Sequence, residues 1–83
     1  MDDLYRYEDF QVGTKVFLDH EYGIIVNVKF HENSTVVRWD TSLENDFEDW
    51  SGMWGSFVQI GGHIIDPNYR FKYINDDGTL KDF

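Results

Sequence analysis

Three apolar runs separated by two polar breaks dominate the first half of the chain, at residues 16–18, 24–30 and 35–39. β-Branched and aromatic residues are frequent in these runs, and each break contains Gly, Asn, Asp or Ser. This composition is typical of antiparallel strands joined by short turns. In the second run the hydrophobic period is close to two, with Ile24 and Val26 on one side and Asn27 on the other. The pattern predicts a three-stranded antiparallel meander.

The second half of the chain gives shorter signals. Residues 56–60 and 69–74 alternate between apolar or aromatic and polar side chains, so each predicts a further strand. Positions 66–68 and 75–78 contain Pro, Asn, Asp and Gly, which predict two turns.

Two segments have less regular patterns. In residues 41–51, Leu43, Phe47 and Trp50 have the spacing of a short amphipathic helix, and the rival interpretation is an extended acidic loop. Residues 1–11 contain four large apolar side chains, so we expect this lead-in to cover one open end of the fold.

The chain has 83 residues, no cysteine and a net charge of −9, which together predict one acidic domain over residues 1–83 without disulfides. No apolar run approaches the roughly 18 residues of a membrane span, so we expect a soluble, cytoplasmic protein that does not bind membranes. Direct binding of nucleic acid is disfavoured, because neutralising phosphates requires Lys and Arg.

Residues 10–40 resemble the opening of small SH3-like barrels of the Tudor and KOW kind. The resemblance rests on three stretches, Gly13-Thr14-Lys15-Val16, Tyr22-Gly23-Ile24-Ile25-Val26 and Val36-Val37-Arg38-Trp39-Asp40. It implies an all-β, SH3-like barrel of four to six antiparallel strands, with room for one short helical turn. Gly23 follows a polar turn, so we expect it to have a positive φ angle.

The strand periods also predict a hydrophobic core. We expect its members to include Val16, Leu18, Ile24, Val26, Val28, Val37, Trp39, Phe57 and Ile60.

The strongest candidate for a binding surface is an acidic segment that contains aromatic side chains. Between Arg38 and Arg70 the chain has six acidic residues and no Lys or Arg. Aromatic residues are favoured at the centres of interfaces, so they would anchor a contact that the charges attract. The predicted partner-binding residues are Asp40, Glu44, Asp46, Phe47, Glu48, Asp49, Trp50 and Trp54. The alternative is a solvated acidic face whose apolar residues belong to the core.

No residue pattern predicts catalysis, a metal or a cofactor. A calcium loop that starts at Asp40 would need Gly where Asn45 stands and Glu where Ser51 stands. The three histidines, His20, His31 and His63, lack zinc-ligand spacing and are expected in turns or on the surface.

The leading functional hypothesis is a non-enzymatic protein that docks on a basic protein surface, such as that of a nucleic-acid-handling enzyme. In its acidity and aromatic content the chain is also similar to small phage-encoded proteins that inhibit host defence or transcription proteins, sometimes by mimicking DNA. Two alternatives stay open: an assembly protein that forms a homo-oligomer through exposed aromatic residues, and a Tudor-like peptide reader.

Overall fold

The computed structural model describes residues 9–27 and 35–82 of the chain. Val28, His31 and residues 1–8 of the predicted lead-in lie outside these ranges. The elements in chain order are β1 (Lys15–Leu18), β2 (Glu21–Val26), β3 (Val36–Trp39), β4 (Phe47–Asp49), α1 (Trp54–Gln59) and β5 (His63–Ile64). The strands form one antiparallel sheet in the order β4-β3-β2-β1-β5. The expected all-β fold with one short helical element is confirmed.

A two-residue turn joins β1 to β2. Leu18 pairs with Glu21, so Asp19 and His20 form the turn, with φ angles of 51° and 68°. Positive φ at both positions identifies a type I′ turn, whose twist matches that of a hairpin. The expectation for Gly23 was therefore wrong: the left-handed residues precede it, and Gly23 lies inside β2 opposite Trp39.

Gly23 is required because neighbouring atoms lie too close for a side chain. A Cβ atom at this position would lie 2.6 Å from Cγ1 of Val37 and 2.8 Å from the carbonyl oxygen of Arg38. Such distances are well inside van der Waals contact, so β2 and β3 pack closely only because position 23 has no Cβ.

The sheet is covered on both faces, which produces two hydrophobic clusters. On the first face, Phe10 and the helix residues Trp54 and Phe57 pack on side chains that include Val37 and Trp39. On the second face, the C-terminal segment, residues 66–82, packs Phe71 and Ile74 on Ile24. Both Ile24 and its neighbour Ile25 are therefore buried, although they point to opposite faces.

Most of the predicted core is confirmed. The buried members are Val16, Leu18, Ile24, Val37, Trp39 and Phe57. Val26 is half-buried, whereas the prediction for Ile60 was wrong, because its side chain is 63% exposed. Ile60 follows the end of α1, where the amide of Gly62 donates to the carbonyl of Phe57 and turns the chain away.

Two strand predictions were wrong. Residues 56–60 fall mostly within α1, because Trp54 and Phe57 lie three positions apart and both pack inward at the helical period. Residues 69–74 form no strand beyond a single bridge between Ile74 and Leu80. Residues 41–51 contain turns and bends followed by β4. The extended acidic loop therefore describes this segment better than the short amphipathic helix.

Replacing Gly23 with Val should lower the free energy of unfolding by about 1–3 kcal/mol or more, because β2 and β3 must separate to admit the side chain. Urea denaturation followed by circular dichroism measures this loss. Gly52→Ala is the control, since Gly52 has a φ of 72° and an added Cβ there meets no atom within 4 Å. Backbone strain alone should cost about 1 kcal/mol at that position. Equal stability of Gly23→Val and the wild type would contradict the close approach.

Candidate functional site

The segment between β3 and β4, which carries much of the predicted surface, is wrapped around one buried cation. Arg38 is 1% exposed, and its guanidinium donates to the carbonyl oxygens of Thr41 (3.3 Å), Asp46 (3.4 Å) and Leu43. The Thr41 hydroxyl also donates to the Asp46 carboxylate at 2.7 Å. Because a buried charge needs hydrogen-bond partners, Arg38 fixes the course of residues 40–46.

Asp40 performs a structural task within this region. Its two carboxylate oxygens accept hydrogen bonds from the backbone amides of Lys72 (2.8 Å) and Tyr73 (2.7 Å). Charge-assisted bonds of this kind are strong, so Asp40 ties the C-terminal segment to the end of β3. We therefore leave Asp40 out of the proposed binding surface.

Glu48 is held by two tryptophans. One of its carboxylate oxygens accepts from the indole nitrogen of Trp39 at 3.2 Å and from that of Trp50 at 3.0 Å. Trp39 is buried and Trp50 is half-buried, with its ring 5.1 Å from that of Phe57. These bonds fix the carboxylate in one position beside the half-exposed indole of Trp50.

Strand alternation divides the predicted residues between the two faces of the sheet. Glu48 pairs with Val37 and therefore lies on the first face, whereas Phe47 and Asp49 pair with Arg38 and Val36 on the second. Phe47 is 42% exposed, and its ring lies 5.6 Å from the Arg38 guanidinium carbon. The acidic segment therefore contributes to two surfaces rather than one.

Glu48 is one of four acidic residues whose charges interact. Glu21 is exposed, yet partial desolvation of its carboxyl raises the pKa, and the charges of Asp46, Glu48 and Asp19 raise it further. We call these four residues, Asp19, Glu21, Asp46 and Glu48, the acidic cluster. Sequence reasoning missed Asp19 and Glu21, which lie more than twenty positions from Asp46 along the chain. The predicted meander could have identified these two residues, because it brings the β1–β2 turn beside the end of β3.

The remaining predicted residues, Trp54 and Glu44, are not members of the acidic cluster. Trp54 is 3% exposed, stacks on Phe10 at 4.7 Å and donates its indole N–H to the Thr35 hydroxyl, so it belongs to the core. Glu44 is exposed in the turn between β3 and β4, next to the exposed side chain of Leu43. Among the described residues, no three His, Asp or Glu side chains are arranged to hold a metal ion.

Comparison with known proteins gives no relative of this chain. The sequence matches no protein-family model and no curated protein, and the fold matches no solved structure. No helix in residues 9–27 or 35–82 is long and apolar enough to span a membrane.

The pKa of Glu21 makes a prediction about pH. A raised carboxyl pKa means that the folded chain binds this proton more tightly than the unfolded chain, so ionisation of Glu21 lowers the stability at neutral pH. Glu21→Gln should therefore raise the melting temperature at pH 7. Below the ordinary pKa of 4.5, Glu21 is protonated in both states, and the difference should disappear. Thermal denaturation across this pH range measures the effect.

Glu44→Gln is the matched control, because it removes the same charge outside the acidic cluster. It should raise the melting temperature at pH 7 by less than Glu21→Gln. Equal gains from the two variants would show that only net charge matters and that the four carboxylates do not act as a group.

Proposed function

We propose that this chain acts by binding, without catalysis, and that the acidic cluster docks on a basic protein surface. The observation that carries the proposal is the convergence of four carboxylates from two separate segments of the chain. Asp19 and Glu21 come from the first hairpin, and Asp46 and Glu48 come from the end of the acidic segment. In a chain of net charge −9, this cluster concentrates negative charge at one end of the sheet.

The geometry also supports binding that needs little reorganisation. Glu48 is held by two indole N–H groups and Asp46 by the Thr41 hydroxyl, so both carboxylates keep their positions before a partner arrives. Ordering side chains in advance reduces the entropy lost on association. Trp50 adds a half-exposed aromatic ring next to these charges, which suits the centre of an interface.

A basic partner would relieve a repulsion that the free chain carries. The charges of Asp46, Glu48 and Asp19 disfavour ionisation of Glu21, so a cation near them gains attraction and removes the mutual repulsion. Proteins that bind nucleic acid present clustered Lys and Arg for phosphates, and an acidic surface can occupy the same groove. We propose that the partner is such a nucleic-acid-handling or defence protein, and that the chain inhibits it in the manner of small acidic phage proteins.

The meander of β1, β2 and β3 supports the proposed likeness to SH3-like barrels, since it includes most of the three stretches on which that likeness rests. Barrels of this kind serve many functions, so the likeness does not identify the partner.

A second candidate function is self-association, and exposed apolar side chains favour it. Leu43 and Phe47 are 63% and 42% exposed, and both lie beside Arg38. A homo-oligomer formed through these residues would respond weakly to salt, whereas a contact through the acidic cluster would weaken steeply as salt rises.

Two variants with equal net charge test the leading proposal. The first replaces the acidic cluster with amides: Asp19→Asn, Glu21→Gln, Asp46→Asn and Glu48→Gln. The second removes four charges elsewhere: Asp9→Asn, Asp66→Asn, Asp77→Asn and Asp82→Asn. Circular dichroism checks that both variants keep the fold. The wild type and both variants are then compared as baits in one host lysate, and retained proteins are identified by mass spectrometry.

The cluster variant should bind the retained partner at least tenfold more weakly, a loss of about 1.4 kcal/mol, because the attracting charges are gone. The second variant should bind with nearly the wild-type affinity. Surface plasmon resonance at low and high salt should show that the wild-type association rate falls with ionic strength. Equal losses of affinity in the two variants would show that binding depends only on net charge. Unchanged affinity in the cluster variant would refute the docking surface.

A further inference from the structure

A cleft of about 420 Å³ lies on the second face of the sheet, between the start of β1 and the C-terminal segment. Three of the seven Lys and Arg residues of the chain line it, namely Lys15, Arg70 and Lys81. Asp76 is the one acidic side chain among the described residues that line the cleft. Three positive charges and one negative charge leave a local excess of positive charge in a chain whose net charge is −9.

The buried end of the cleft contains an ammonium group that already binds a carboxylate. Lys15 is 5% exposed, and its Nζ donates to the carbonyls of Pro67 (2.8 Å) and Tyr69 (2.7 Å). Its third contact is with the carboxylate of Asp76 at 3.1 Å. The Asp76 side chain is itself 77% exposed, so an anion from solvent can reach this contact and take the place of the carboxylate beside Lys15.

The other two cations retain donors that no residue in the described parts of the chain uses. The Nζ of Lys81 donates to the carbonyl of Phe71 at 2.6 Å, which leaves two of its three protons for other acceptors. Arg70 is exposed, and its guanidinium makes no hydrogen bond or ion pair with any residue in the described ranges 9–27 and 35–82. The cleft therefore offers a planar guanidinium fork and a partly engaged ammonium to an incoming anion.

We propose that this cleft binds a small phosphate monoester, in which the phosphate replaces the Asp76 carboxylate beside Lys15 and is gripped by Arg70 and Lys81. A phosphate monoester carries about 1.5 to 2 negative charges near pH 7, which matches the excess of positive charge better than a single carboxylate does. Its oxygens suit the fork of an Arg and the point charge of a Lys. The volume falls within the range of roughly 300–1,000 Å³ that small-molecule sites occupy, so the cleft also has room for the organic part.

Nuclear magnetic resonance of the ¹⁵N-labelled full chain tests this site, with adenosine monophosphate, adenosine and inorganic phosphate as probes. Adenosine monophosphate should shift the amide signals of residues 68–76 and Lys81 in a saturable manner. Arg70→Gln and Lys81→Gln should each weaken this binding at least tenfold. Lys72→Gln is the matched control, because Lys72 belongs to the same segment but does not line the cleft, and its Nζ lies 5.4 Å from the ring centre of Tyr73. Binding by Lys72→Gln should stay within twofold of the wild type.

Asp76→Asn gives a result of the opposite sign. It removes the competing carboxylate and a repulsive charge, so adenosine monophosphate should bind several-fold more tightly than it does to the wild type. A damaged fold cannot produce such a gain, and the amide spectrum shows whether each variant is folded.

Several results would overturn the proposal. The absence of saturable shifts at millimolar adenosine monophosphate would exclude the site. Equal weakening by Lys72→Gln and Arg70→Gln would show diffuse attraction instead of a built cleft. Binding of adenosine as tight as that of its monophosphate would show that the phosphate is not recognised. If inorganic phosphate bound as tightly as adenosine monophosphate, the organic part would contribute nothing and the site would not be one for a phosphate monoester.

Discussion

The burial of two cations, Lys15 and Arg38, is the constraint on which the rest of the structure depends. Lys15 on β1 and Arg38 on β3 both pair with Ile24 of β2, so the two charges flank this isoleucine on one face of the sheet. Removing a charge from water costs several kcal/mol unless good bonds replace the lost hydration. Backbone carbonyls of segments without regular structure accept most of these bonds. The two cations therefore hold these segments against the sheet, although no strand pairing does so.

This arrangement explains how a small sheet is covered on both faces with only one short helix among the described elements. The C-terminal segment lacks a ladder, yet charged side chains hold several of its backbone groups in place. Lys15 and Lys81 donate to its carbonyls, and Asp40 accepts from two of its amides. Buried backbone groups need such partners, so irregular packing is stable here because charged side chains provide them. The same use of charge separates an acidic surface at one end of the sheet from a cationic cleft on its second face.

The sequence was informative wherever the signal was local. The meander and the burial of Val16, Val37 and Trp39 follow from a period of two and from turn residues. The segment around Phe57 was misread, because five residues can show both strand alternation and the three-residue spacing of a helical turn. For the candidate site, Asp46 and Glu48 were found from local charge density. Asp19 and Glu21 were missed because only the three-dimensional pairing of β1, β2 and β3 brings them close.

The contact between Glu48 and two indoles also gives this protein an optical property. All three tryptophans donate their indole N–H: Trp39 and Trp50 to the same Glu48 oxygen, and Trp54 to the Thr35 hydroxyl. A carboxylate this close to an indole influences its emission, so the intrinsic fluorescence of the chain should change when a partner displaces Glu48 from this contact. Trp54 belongs to the same aromatic group, since its ring lies 6.5 Å from that of Trp50. The chain thus carries a label-free reporter on the surface with which we propose that it meets other proteins.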